Sequence, residues 1–209
     1  QVVNNAYSSI LFQGKNTVGG LMYNAANSLI VTQNSSDEEV TENINIFSDV
    51  INSGTIRFNA DSDTVNKLTN YSAVYVTNNT TFKGDVLSSG TENNRALLAA
   101  SGVTVFKSVV TNNDYSDMIF SGDTTFEDKL NNNEFGTISF TGDISLQDIY
   151  NAGGISVSGN AEINDDVENV GIINLAGDNL LKGDMAGNGT LNIYDLFEVS
   201  GGSINNEMK

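Results

Sequence analysis

The chain of 209 residues contains no cysteine, no histidine, no proline and no tryptophan. Without cysteine there is no disulfide framework, no thiol nucleophile and no cysteine metal site. Without histidine the commonest general base, the usual partner of a nucleophilic serine and the commonest zinc ligand are all missing. Basic residues are scarce: nine Lys and Arg face 26 Asp and Glu, for a formal charge of -17. Nucleic acids bind through basic groups that displace counterions, so this balance argues against a nucleic-acid partner and, equally, against an anionic membrane surface. No run of eighteen apolar residues is present, so the segment is not expected to insert in a membrane. The chain starts at Gln1 with no charged and apolar leader, and we read it as a processed or excised segment of a larger protein.

What is present is a pattern that returns about every eighteen residues, plainest in Gly136-Thr-Ile-Ser-Phe-Thr-Gly-Asp143 and Gly171-Ile-Ile-Asn-Leu-Ala-Gly-Asp178. Apolar anchors equivalent to Ile138 are placed at Ile10, Leu29, Ile56, Val74, Val103, Met118, Ile155, Ile173 and Leu191. Each has an apolar partner two positions on, among them Val31, Val105 and Phe140, so both side chains share one face of a strand. A second pair of anchors follows, as at Phe126 and Leu130 or Leu146 and Tyr150. Gly-Asp pairs such as 122–123, 142–143 and 183–184 lie between anchors, and these residue types suit corners.

Short strands joined by such corners predict an all-β parallel β-helix of about ten coils of roughly eighteen residues, a single domain over 1–209 and a rod of about 45–50 Å. The unequal intervals favour the right-handed kind. An antiparallel sandwich also spaces short strands regularly, but it needs no register between residues eighteen apart. The period breaks twice, giving expected loops near 35–42 and 84–101, where recognition would sit. Within the second, Arg95-Ala-Leu-Leu-Ala-Ala100 has the strongest helix propensity of the chain, and a short helix against the rod is expected there. Residues 1–7 are expected to cover the first coil if the chain begins there naturally.

Carboxylates alone can run glycoside or polysaccharide chemistry, sometimes with calcium. Asp85, Asp128, Asp148, Asp166 and Asp184 are read as one corner row and Asp123, Asp143 and Asp178 as another, with neighbours about 5 Å apart. Asp after Gly is also an ordinary turn residue, and a repeated turn repeats its residues. No catalytic, cofactor-binding or metal-ligating residue is therefore assigned, and calcium is kept only as a weak ligand of an Asp row. The thirty-one asparagines, many at corners such as Asn112-Asn113 and Asn131-Asn-Asn133, are read as stacked amide ladders.

Several segments resemble the passenger domains of bacterial autotransporters: Val50-Ile-Asn-Ser-Gly-Thr-Ile-Arg-Phe58, Gly136 to Asp143, Val167 to Asp178 and Gly187-Asn-Gly-Thr-Leu-Asn-Ile193. The resemblance implies a secreted right-handed β-helix at the outer-membrane surface of a Gram-negative bacterium. The protease members of that family are similar to one another in a Gly-Asp-Ser-Gly motif, which this histidine-free chain does not carry. The expectation is thus a non-catalytic, extracellular cell-surface scaffold that adheres to host or bacterial surfaces or to itself. The alternatives are a carbohydrate-active β-helix enzyme, lyase or glycosidase, and an inert stalk.

Overall fold

The computed structural model describes residues 1–36 and 44–208. Its 28 strands all pair in parallel and wind into a β-solenoid of about 10 turns with about 19 residues per turn, and no helix occurs among the described residues. Each turn contributes strand to each of three faces, and Ile44–Asn52, Ser62–Asn70 and Met185–Ile193 each run through two faces without a break. Face A stacks strands such as Ser116–Phe120 on Thr137–Phe140, face B stacks Thr124–Phe126 on Ile144–Leu146, and face C stacks Leu130–Asn132 on Ile149–Asn151. The expected loop near 35–42 lies largely outside the described residues.

Alternation decides what fills the rod. On face A one inner column runs Ile30, Ile56, Val74, Leu98, Met118 and Ile138, and a second holds Phe58, Val76, Ala100, Phe120 and Phe140. Phe82, Phe106 and Phe126 of face B stack at 4.9 and 4.8 Å, and Phe120 of face A meets Phe126 edge-on at 5.6 Å. These geometries are the favourable ones for aromatic pairs, so the central coils are held by two ring stacks touching edge to face.

Four placements differ from the sequence reading. In the second coil Ile30 and Thr32 point inward instead of Leu29 and Val31. The inward slot is open to Thr32 because its hydroxyl donates to the buried Asp63 carboxylate at 2.6 Å. In the fifth coil the face A strand is Ala96–Ala100, with Leu98 between Val74 and Met118, while Val103 is 49% exposed at a corner. The helix expected over Arg95 to Ala100 is therefore a strand: two flanking strands take up its backbone groups, and tertiary pairing overrides propensity. Ile149, not Tyr150, enters the core. Finally, Val2–Asn4 does not cover the first coil but pairs with Met22–Asn24 as a rung of face C.

The corner from face C to face A is built on asparagine. Nδ2 of Asn4 donates to Oδ1 of Asn24 at 2.8 Å, and so on through Asn24 to Asn52 and Asn52 to Asn70. The series resumes from Asn112 to Asn132, Asn151 and Asn169, each step 2.8 Å. The same Nδ2 reaches a backbone carbonyl of the next coil, as Asn132 does to Gly154 and Asn151 to Ile172. An amide fits because it donates and accepts at once, and a buried column must satisfy both. At the A-to-B corner the backbones approach so closely that a Cβ on Gly142 would lie 2.5 Å from the Gly122 carbonyl oxygen. Gly177 in the same column also has φ +83, where only glycine is unstrained.

Candidate functional site

Four coils turn from face C to face A in two residues, after Asn52, Asn70, Asn151 and Asn169, and the first two take four, 5–8 and 25–28. Three successive coils in the middle of the rod have corners that lean on one another. After Ser88, Asn112 and Asn132 the chain leaves the strands for residues 89–95, 113–115 and 133–136, and these excursions stack into a ridge. The expected loop over 84–101 is thus only partly a loop: Val86–Ser88 and Ala96–Ala100 are strands of the rod, and the part between them projects.

The ridge is held by its own contacts. Thr91 and Asn94 exchange backbone N–H···O bonds of 2.9 and 3.0 Å, and the Gly90 N–H donates to the Asp114 carbonyl at 3.1 Å. Tyr115, in left-handed backbone at φ 54, stacks on Phe135 with centroids 4.9 Å apart and planes 6° from parallel. Arg95 donates to Asp117 through Nε at 2.8 Å and Nη2 at 2.5 Å, and Nη2 also donates to the Phe135 carbonyl at 3.1 Å. The hydrogen bonds from Arg95, and then from Thr137, hold the Asp117 carboxyl below its ordinary range against the opposing effect of burial. The same pair raises Arg95.

Below the ridge the corners shorten again, and the step leaves two hollows. One, of about 470 Å³, is lined by Asp114, Asn133, Glu134, Tyr150, Ala152 and Val170. The other, of about 330 Å³ on face A, has Leu97, Asp117, Ile119, Thr137, Gly154 and Ser156 among its walls. Sequence reasoning missed both. Tyr150 had an apolar side chain at nearly the right interval and passed for a core anchor, and the ridge becomes visible only when the corners are aligned on their asparagines.

The first acidic row differs from the sequence expectation, and the second stands as expected, with Asp123, Asp143, Asn160 and Asp178 set in register by backbone bonds. Backbone bonds across the B-to-C corner align Asp148, Asp166 and Asp184, but Lys129 stands where Asp128 was expected, and Val109 separates it from Asp85. Asp166 accepts the Asp184 N–H at 2.8 Å, and Asp184 accepts the Ser203 N–H at 2.7 Å and its hydroxyl at 2.9 Å. At the other corner Asp143 accepts from the Asn160 amide at 3.0 Å, which in turn accepts the Asp178 N–H at 3.2 Å. These side chains tie one corner to the next. Among the described residues no three carboxylates converge as a metal site.

Charge is unevenly spread along the rod. Residues 1–109 carry nine acidic and six basic side chains, whereas residues 110–209 carry seventeen and three. Comparison of the chain with protein-family profiles, with curated proteins and with solved structures finds no match.

Proposed function

We propose that this rod is a non-catalytic scaffold of a bacterial cell surface that works in adhesion or self-association. The observation that carries the reading is the ridge: one corner of three adjacent coils projects and is braced across the coils by Arg95–Asp117 and Tyr115–Phe135. A braced projection on a rigid scaffold suits contact with a partner, since little ordering cost remains at binding. The resemblance to autotransporter passengers supports an extracellular, outer-membrane address in a Gram-negative bacterium. The absence of cysteine suits a chain that crosses membranes unfolded. Host surfaces, bacterial surfaces and a second copy of the chain are the partners this reading admits.

The test is to coat beads with the chain and score their attachment to host cells, to bacteria and to one another. In a ridge variant, residues 89–96 are replaced by the Ser-Gly of the 53–54 corner. We expect attachment to drop while the melting temperature stays within a few degrees, because the projecting residues go with a single strand residue, Ala96, and Leu97 then follows a two-residue corner as its ladder partner Ala73 does. Full attachment by the ridge variant would assign contact to another part of the rod, and no attachment by the parent chain would leave the stalk.

A further inference from the structure

The two hollows under the ridge share one floor. The chain from Ile149 to Val157 passes beneath both, and its alternate residues line them: Tyr150 and Ala152 on one side, Gly154 and Ser156 on the other. We infer that they form one channel bent round the corner and that it binds a neutral glycan. This rests on the adhesive reading above and names its ligand class.

Gly154 points to an occupant. Its ladder neighbours on face A are Thr137 and Ile172, both β-branched, as strand positions favour. A Cβ at Gly154 would meet nothing within 4 Å, whereas one at Gly153 would lie 2.2 Å from the Gly136 carbonyl oxygen. Packing inside the rod thus requires glycine at 153 and leaves 154 free. A glycine with open space above it in a strand forgoes side-chain contact and fits close approach by another molecule.

The lining then selects the class. Asp114, Glu134 and Asn133 offer acceptors on one side; on the other Ser139 offers a hydroxyl, while the Thr137 hydroxyl donates to Asp117 and the Ser156 hydroxyl accepts from the Asn174 amide and keeps its own proton to donate. No Lys or Arg lines either hollow, and Arg95 nearby is engaged by Asp117 and the Phe135 carbonyl, so an anionic ligand finds no counter-charge. A wholly apolar ligand would strip water from Asp114 and Glu134 without replacing it. A pyranose matches both requirements: its hydroxyls donate to carboxylate and amide oxygens, and its C–H face lies on the Tyr150 ring and Val170, which is 40% exposed. Each hollow has room for roughly one or two sugar rings.

The experiment titrates the full chain with tetrasaccharides of β-1,4-linked glucose, N-acetylglucosamine and mannose, read by saturation-transfer NMR and calorimetry, with hexalysine as the cationic comparison. We expect at least one sugar to bind with a Kd of about 0.1–10 mM, and to do so equally in about 0.5 M salt, where ionic contacts are screened. Gly154→Val, which fills the channel, and Tyr150→Ala, which removes its floor, should each weaken binding about tenfold or more. Gly154→Val should melt no lower than the parent, so its loss of binding is not loss of fold. The inference is overturned if no sugar binds, if both variants bind like the parent, or if hexalysine binds in a salt-sensitive way and the sugars do not. Parent beads that still attach to cells while no sugar binds would sink the glycan and leave the adhesive reading standing. Parent beads that never attach would sink the adhesive reading itself.

Discussion

Two buried polar columns run along this rod, and they behave differently. At the C-to-A corner asparagine follows asparagine, each amide donating to the next at 2.8 to 2.9 Å. On face B the column begins in the same way, with Asn16 donating to Asn45 and Asn45 to Asp63, each at 2.8 Å. There it stops. An ionised carboxylate only accepts, so it passes nothing on, and the hydroxyl of Thr80, next in register, is buried without a partner. Further along, the column turns apolar at Ile144 and Ala161. A buried column propagates only through groups that donate and accept together.

The asparagine column has one gap of its own. Ser88 accepts from Asn70 at 3.1 Å and from the Ser116 hydroxyl at 2.8 Å, but it has no amide to offer the next coil. Oδ1 of Asn112 is accordingly buried without a partner. The gap falls on the coil that opens the ridge.

The largest effect should come from breaking the intact column. Asn132→Ala removes the acceptor of Asn112 and the donor to Asn151 and Gly154, and we expect a loss of about 3 kcal/mol, read as a lower urea midpoint. A cost under about 1 kcal/mol would show that the ladder contributes little beyond its shape.

Next comes Asp63, which is 1% exposed. Burial pushes its carboxyl up to about 6, against the lowering effect of hydrogen bonds from Thr32, Asn45 and the Ala60 backbone. A raised carboxyl pKa means that the folded chain holds the proton more tightly than the unfolded one. Its contribution is therefore present below the model-peptide value of 3.8 and lost as pH rises through about 6. Across that window the chain should lose about 3 kcal/mol of stability from this group. Asp63→Asn, which cannot ionise, should abolish that pH dependence and melt higher than the parent at pH 8. Parallel pH profiles for parent and variant would remove Asp63 from the account.

Repairing the gap is a smaller change. Ser88→Asn restores a donor for Asn112 and should add about 1 kcal/mol, measured by the same denaturation; a destabilised variant would mean that the space beside Ser116 is already filled. Smallest of all, Arg95→Ala removes a pair that is about one-third exposed on both sides. It should cost about 0.5 kcal/mol, although hydrogen exchange over 89–95 should rise.

The comparison also shows how much could be read from residues alone. Alternating apolar pairs at a period near eighteen located the inner columns of coils six to ten, where Met118, Ile138, Ile155, Ile173 and Leu191 stand in register. The reading slipped where a polar residue entered the core. Thr32 is buried because Asp63 lies across from it, and no local pattern announces a partner 31 residues away. At the fifth coil, the run Ala-Leu-Leu-Ala-Ala reads as helix until two neighbouring strands claim its backbone. The Asp rows looked like chemistry from their spacing; in the rod Asp166 and Asp184 accept corner N–H groups.

The sequence by itself determined that one small unit is stacked in parallel, because a fixed period with alternating apolar residues and Gly or Asn corners has few other ways to bury its side chains. Tertiary structure decided which residue of each unit stands inside. A shift of one position turns every side chain in a strand to the opposite face, and only the neighbouring coils fix that register. Tyr150 outside, Thr32 inside and the ridge over Gly154 all follow from contacts between coils, which no stretch of eighteen residues contains.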